Sequence, residues 1–312
     1  MAGAEPAGVP PSDRAEALLA AGQLAADAGE AGPDYVAQAE ESVRLFRDAG
    51  DRRGLVMALQ HLGRCILAAE GAAEQVRPLF DESLRVARAL SDPRGVGSAL
   101  ANLAYLAWRD GERRQARVGY EDAVAHVRRS GDALFTGLIL GLLGWSTLAD
   151  GDLERARWQK EESLAILRGL AAKEAVGLAL LGLAHVARRE GDDTRLRALL
   201  DESAVLLRET ASPGLSDWLS FAGQLRVERR EYVRGVRLLA AGESDGPRVG
   251  SLRALLYLMP RDELETHMAL ARSALGEDAF AAAWAAGKAL TPDEAVAAAL
   301  DAPIGGPWEP FA

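Results

Sequence analysis

Residues 138–164 read LILGLLGWSTLADGDLERARWQKEESL, and this stretch decides the fold. Leu138, Leu142, Leu143 and Leu148 recur at the spacing of one helical face. Asp150-Gly151-Asp152 then interrupts the pattern. Gly151 suits the left-handed backbone that ends a helix. Asp152 can accept a backbone N–H of the helix that follows. Leu153, Ala156, Leu164 and Leu167 form the inward face of that second helix. The stretch is a helical hairpin.

The hairpin is repeated along the chain. Gly71, Gly111, Gly151 and Gly191 stand 40 residues apart. Each is followed at a fixed distance by two acidic residues and a small one: Asp81-Glu82-Ser83, Glu121-Asp122-Ala123, Glu161-Glu162-Ser163 and Asp201-Glu202-Ser203. Glu40-Glu41-Ser42 is an earlier copy. Gly22, Gly63, Ala104, Gly144, Ala184 and Gly223 mark the first helix of each unit at intervals of 39 to 41 residues. Asp92-Pro93, Gly131-Asp132 and Pro213-Gly214 are turns between units. A fixed period of this length is the signature of a helical repeat array, not of independent domains. The small residue in each first helix lets the two helices of a hairpin approach closely, and the one ending each triplet plays the matching part in the second helix.

Composition agrees with an all-α array and excludes several alternatives. The 312 residues alone suggest two domains of about 150 residues each, which the repeat replaces with one array. With 36 basic and 46 acidic residues the net charge is -10, which disfavours a nucleic-acid coat and an anionic membrane surface. Cys65 is the single cysteine, so neither an intramolecular disulfide nor a cysteine-rich zinc site is available. Apolar stretches such as 137–149 are too short and broken to span a bilayer. No charged segment followed by an apolar one opens the chain, so a cytoplasmic location is expected. Lysine occurs only at Lys160, Lys173 and Lys288.

Leu143-Gly144-Trp145, Gly151-Asp152-Leu153-Glu154-Arg155-Ala156 and Ser163-Leu164 resemble the tetratricopeptide repeat (TPR). The unit here is longer than the usual 34 residues. In this it is similar to the C-terminal arrays of actinobacterial LuxR-type, SARP-type and NTPase regulators. Val236-Arg237-Leu238-Leu239-Ala240-Ala241-Gly242-Glu243 and Ala274-Leu275-Gly276-Glu277-Asp278-Ala279-Phe280 add to that likeness. The resemblance implies a right-handed α-α superhelix, a TPR-like solenoid, with a small helical C-terminal cap. The chain departs from those regulators in lacking a phosphate-binding glycine loop: Gly287-Lys288 is followed by Ala289. No hairpin is left over for a helix-turn-helix module. The chain is then expected to be either a free-standing repeat protein or a truncated regulator, and Met1 at its start favours the first.

The expected organisation is a disordered segment over 1–11, an array of about six hairpins over 12–246, capping helices over 247–300 and an irregular tail over 301–312. Phe280 and Trp284 should pack back on the last repeat. Pro260 should end a first capping helix. Trp308 and Phe311 either form a docking peptide or, the favoured reading, fold back on the body.

No catalytic constellation is present. Paired carboxylates recur at one phase of the repeat, whereas catalysis needs such a pair once. They read as the solvated face of the second helix. His61 and Cys65 are one helical turn apart but make too small a metal set, and Cys65 reads as a small buried hydrophobe. The expectation is therefore a protein that is not an enzyme, with no cofactor and no metal. Candidate site residues come from the resemblance, which implies that the first helices line a concave groove. The position after the small residue is then Arg64, Tyr105, Trp145, His185 and Gln224, and the next turn brings Trp108 and Arg188, flanked by Arg109 and Arg189. Tyr, Trp and Arg are frequent at binding hot spots, and arginine pairs carboxylates. The expected partner is a protein or peptide segment, acidic in character, bound by a scaffold that acts in bacterial regulation. The alternative is the sensor arm of a transcriptional regulator, which takes a small-molecule inducer. Direct nucleic-acid and membrane partners are not expected, and self-association through apolar array ends is left open.

Gly144→Leu tests the register. Overpacking should destabilise the protein by about 1–3 kcal/mol, read as a lowered melting temperature, and an unchanged melt would contradict it.

Overall fold

A computed structural model describes residues 10–27, 33–69, 73–243 and 261–300. Among these residues there are fifteen α-helices and no strand. The chain divides into two compact units. One runs to Ile139. The other comprises Leu140–Asp245 and Leu256–Ala312.

The first unit holds α1 (Pro11–Asp27), α2 (Pro33–Asp48), α3 (Arg52–Ala68), α4 (Ala73–Ala89), α5 (Pro93–Arg109), α6 (Arg113–Ser130) and the start of α7 (Ala133–Ala149). Neighbours in sequence pack together as antiparallel hairpins, α1 with α2, α3 with α4 and α5 with α6. Asp51, Asp92 and Asp132 recur at the starts of α3, α5 and α7, where each carboxylate accepts backbone N–H groups that a helix start leaves unpaired. Ser42 Oγ donates to the carbonyl of Ala15 at 3.0 Å, and Ser83 Oγ donates to that of Val56 at 3.1 Å. The small residue ending each triplet thus ties the second helix to the backbone of the first. Ala123 holds the equivalent place without a hydroxyl. There the backbones close in instead: a Cβ on Gly97 would stand 3.0 Å from the carbonyl oxygen of Ala123.

The second unit holds the rest of α7, then α8 (Leu153–Gly169), α9 (Lys173–Glu190), α10 (Asp193–Glu209), α11 (Gly214–Glu228), α12 (Tyr232–Gly242), α13 (Arg261–Leu275), α14 (Glu277–Lys288) and α15 (Pro292–Leu300). Asp152 caps α8 and Asp192 caps α10. Ser203 Oγ donates to the Gly177 carbonyl at 2.7 Å and repeats the serine tie between α10 and α9. Gly144 lies where close packing requires it, because a Cβ there would stand 2.6 Å from Cγ of Lys160. A Cβ on Gly223 would stand 2.9 Å from the backbone nitrogen of Leu239.

The last three helices cover the final hairpin. Phe280 is buried with Val227, Val236, Leu239, Ala271 and Ala283, and Trp284 packs against this cluster. Arg226 is buried, pairs with Glu231 at 3.1 Å and donates to the Ala299 carbonyl of α15 at 2.8 Å. Thr291 and Glu294 form a reciprocal capping box that starts α15 and separates it from α14. The expected helix ending at Pro260, residues 1–9 of the N-terminal segment and the tail with Trp308 and Phe311 lie outside the described residues. The architecture is all-α, a TPR-like repeat of helical hairpins with a helical C-terminal cap.

Left-handed backbone recurs at the turns. Within hairpins of the second unit it falls on Gly151 (φ 85°), Gly191 (φ 74°) and Arg230 (φ 62°), and between hairpins on Ala171 (φ 52°) and Ala211 (φ 47°). A side chain costs about 1–2 kcal/mol in this region, against about 0.5–1 kcal/mol for the extra freedom glycine brings to the unfolded chain. Ala171→Gly and Ala211→Gly should therefore each stabilise the protein by about 0.5–1 kcal/mol, seen as a higher urea midpoint. A lower midpoint would mean that these turns carry no such strain.

Candidate functional site

The expected groove residues fall into two groups, one in each unit. In the first unit Arg64 and Tyr105 are buried. Trp108 is half-buried under Arg113, whose Cζ lies 4.2 Å from the indole centroid, and Arg109 is exposed. In the second unit Trp145, His185 and Gln224 are buried on successive first helices α7, α9 and α11, while Arg188 is half-buried and Arg189 exposed. The register is therefore shared, but Arg64, Tyr105, Trp145, His185 and Gln224 are not an open ladder. Within each unit these side chains are packed in the interior between helices. Replacing Trp145 and His185 with alanine would open a cavity in the core, so the two residues are not dispensable for stability.

In the second unit these side chains build a continuous row. Trp145 meets His185 edge-on, with centroids 4.8 Å apart, and His185 stacks on Phe221 at 3.5 Å. At one end Nζ of Lys160 lies 3.9 Å from the Trp145 centroid. At the other, Arg188 lies 5.7 Å from the Phe221 centroid and pairs with Glu228 and Glu263. His267 Nε2 meets Glu228 at 3.0 Å and ties α13 into the row. Lys160, Phe221, Glu228, Glu263 and His267 complete this arrangement without having been singled out in the sequence. For Lys160 a signal existed. Phe80, Tyr120, Lys160 and Leu200 stand 40 residues apart and are all buried, so a lysine occupies a large hydrophobic position.

Burial sets the charges here. Lys160 is 2% exposed, and its Nζ donates to the Gly141 carbonyl at 3.3 Å. No carboxylate pairs with it among the described residues, and desolvation pushes its ammonium pKa well below the ordinary lysine value. The Trp145 face favours a cation by about 0.5–2 kcal/mol, less than the several kcal/mol that desolvation costs an unpaired ion. Burial therefore favours the neutral form of the amine. Burial, then the charges of Arg188 and Lys160, hold the His185 pKa well below its usual value, so this ring is neutral too. Among the described residues its Nε2 has no hydrogen-bond partner, and neither has Oε1 of Gln224.

The remaining chemistry-bearing residues are structural. His61 and Cys65 touch at 3.4 Å, and no third ligand joins them to make a metal site among the described residues. Burial, with Arg64 nearby, lowers His61 to about 3, while burial raises the Cys65 thiol to about 11. Both are neutral. The repeated carboxylates make surface pairs, Glu82 with Arg47, Glu161 with Arg195 and Glu202 with Arg168. Such pairs add little stability. No helix among the described residues is long and apolar enough to cross a membrane.

The lysine sets a pH dependence of definite sign. The unfolded chain binds a proton at Lys160 below about pH 10.4, whereas the folded chain does not until far lower pH. Stability should therefore rise with pH between those limits. Lys160→Met should raise the melting temperature at neutral pH and flatten the rise between about pH 7 and about pH 10. Melts across that range check it, and a destabilised Lys160→Met protein with an unchanged slope would refute it.

No protein-family model matches the chain, and no curated protein matches it. Solved structures similar to it are repeat proteins. A kinesin light chain with nearly identical TPR-like repeats from Podosopora anserina is 16% identical over 64% of this chain and 97% of that one, with TM-scores of 0.48 and 0.47 in two solved forms. BtubC (BKLC) from P. vanneervenii is 16% identical, with a TM-score of 0.45, over 91% of this chain and 92% of that one. At this level of likeness the assignment of TPR-like repeats stands on the hairpins of this chain.

Proposed function

We propose that the chain is a non-enzymatic helical-repeat scaffold that binds a protein or peptide segment along the first helices of its repeats, in a regulatory or assembly role. The supporting observation is the run of helical hairpins, whose first helices share one register along the chain. Arg189 on the same helix as His185 is exposed and has no ion pair among the described residues, which favours an acidic segment.

The alternative, an arm that senses a small polar inducer, finds support elsewhere. A depression of about 960 Å³ in the first unit is lined by Glu74, Arg77, Asp81, Glu82, Arg85 and Asp110. It is a shallow surface with charges of both signs, and none of the groove residues lies in it. The scaffold reading is therefore preferred.

A synthetic peptide array graded in net charge tests the scaffold reading with the full chain. Acidic peptides should be retained, and Arg189→Glu should weaken them by at least about tenfold with unchanged circular dichroism. Retention of basic peptides only, or indifference to Arg189→Glu, would reject the acidic partner.

A further inference from the structure

One surface position of the second helices is apolar in repeat after repeat. Ala37, Pro78, Val118, Trp158 and Ala198 stand 40 or 41 residues apart, and each is exposed. An acid follows three residues later every time: Glu40, Asp81, Glu121, Glu161 and Asp201. The second unit presents the largest of these side chains, since Trp158 is 57% exposed. Two ion pairs, Glu161 with Arg195 at 2.6 Å and Arg168 with Glu202 at 2.5 Å, hold α8 and α10 side by side. The helices run parallel, because residues 161 to 168 and 195 to 202 are equal steps in one direction. Trp158 and Ala165 on α8, with Ala198 and Val205 on α10, are therefore exposed apolar pairs at matching heights. Glu154, one turn before Trp158, and Asp201, one turn after Ala198, are exposed and have no ion pair among the described residues. Arg157, Arg168 and Arg195 beside them are engaged by Glu190, Glu202 and Glu161.

We propose that the α8–α10 face docks a basic amphipathic helix of another protein, with an arginine or lysine of that helix over Trp158. Elsewhere the chain supplies cations to its own rings: Arg94 to Phe135, Arg113 to Trp108, Lys160 to Trp145, Arg188 to Phe221 and Arg272 to Phe280. Among the described residues no cation lies over Trp158. Indole is the best aromatic face for a cation, and Glu154 and Glu161 stand one helical turn to either side of it. A basic residue placed there meets the ring and both carboxylates. Two parallel helices leave a valley in which a third helix can lie and be read at its i, i+3, i+4 and i+7 positions. Trp158 to Ala165 and Ala198 to Val205 each span about 10 Å, the length of two turns of such a helix. An acidic helix would set its charges against Glu154 and Asp201, and a second copy of this chain would bring the same carboxylates to its own. The surface belongs to the second helices and takes the opposite charge from a partner of the first helices, so it does not rest on the scaffold reading.

Two fluorescein-labelled helical peptides of about five turns, one of Leu and Lys and one of Leu and Glu, are titrated with the full chain and read by anisotropy. The Leu–Lys peptide should bind and the Leu–Glu peptide should not. Trp158→Ala removes an exposed side chain, so the melting temperature should hold while the Leu–Lys peptide weakens by at least about tenfold. Glu154→Gln with Asp201→Asn should weaken it by at least about fivefold. Glu265→Gln with Asp278→Asn removes the same charge from exposed positions of α13 and α14 and should leave binding within about twofold. Arg189→Glu should leave it unchanged as well, so failure of the first-helix site and failure of this one are separate results. Equal binding by Trp158→Ala and the parent chain overturns the proposal, as does a preference for the Leu–Glu peptide. Dimerisation in sedimentation velocity that needs Trp158 would assign the face to a second copy and overturn it. Binding to phosphatidylcholine vesicles that needs Trp158 would assign it to a lipid surface, with the same consequence.

Discussion

The close approach of two helices within each hairpin is the constraint on which the rest of the structure depends. Small residues on the first helix and a serine or alanine on the second allow it. Ser42, Ser83 and Ser203 turn proximity into a bond by donating to a carbonyl of the facing helix. A buried hydroxyl would be costly without that acceptor. The acceptor is a backbone group already engaged in its own helix, whose oxygen has a second lone pair to offer. The tie therefore adds to the helix without competing with it.

The close approach creates a socket, and each repeat must fill it. Phe80, Tyr120 and Leu200 do so with carbon. Lys160 does so with a four-carbon stem and a nitrogen, and this one exchange changes the chemistry of the second unit. The buried amine lies under Trp145, whose indole meets the ring of His185, and Phe221 then separates that ring from Arg188. The charge of Arg188 is balanced by Glu228 and Glu263, which also draw α13 onto the array. The row thus passes from a buried amine to a paired cation across three aromatic rings.

Much of the fold was legible in the sequence because it depends on backbone geometry that few residues permit. Gly151 and Asp152 announce a helix end and a helix start by themselves, and their recurrence fixes the unit length. The packing of Phe280 and Trp284 on the last hairpin was equally readable, since an array end must be covered. The candidate site was harder. The register position of Trp145, His185 and Gln224 was readable, but their exposure was not. Whether a side chain at that position points to solvent or fills a seam depends on the separation of neighbouring hairpins, which the period does not encode. Lys160 was visible only by aligning it with Phe80, Tyr120 and Leu200. Glu228, Glu263 and His267 come together from α11 and a capping helix outside the repeat phase.

The left-handed turns have a further consequence. Gly111, Gly151 and Gly191 occupy the same conformation one period apart, as do Ser91, Gly131, Ala171 and Ala211. Each residue type that ends a hairpin does so by the same local geometry, independent of the neighbouring unit. A chain spliced from one of these turns to its counterpart would meet a similar backbone junction, with an acidic residue directly after Ser91, Gly111, Gly131, Gly151 and Gly191. The array is therefore built for change by whole periods. Gain or loss of one period alters how many seams exist and which side chains occupy them, while the rules for making each seam stay the same.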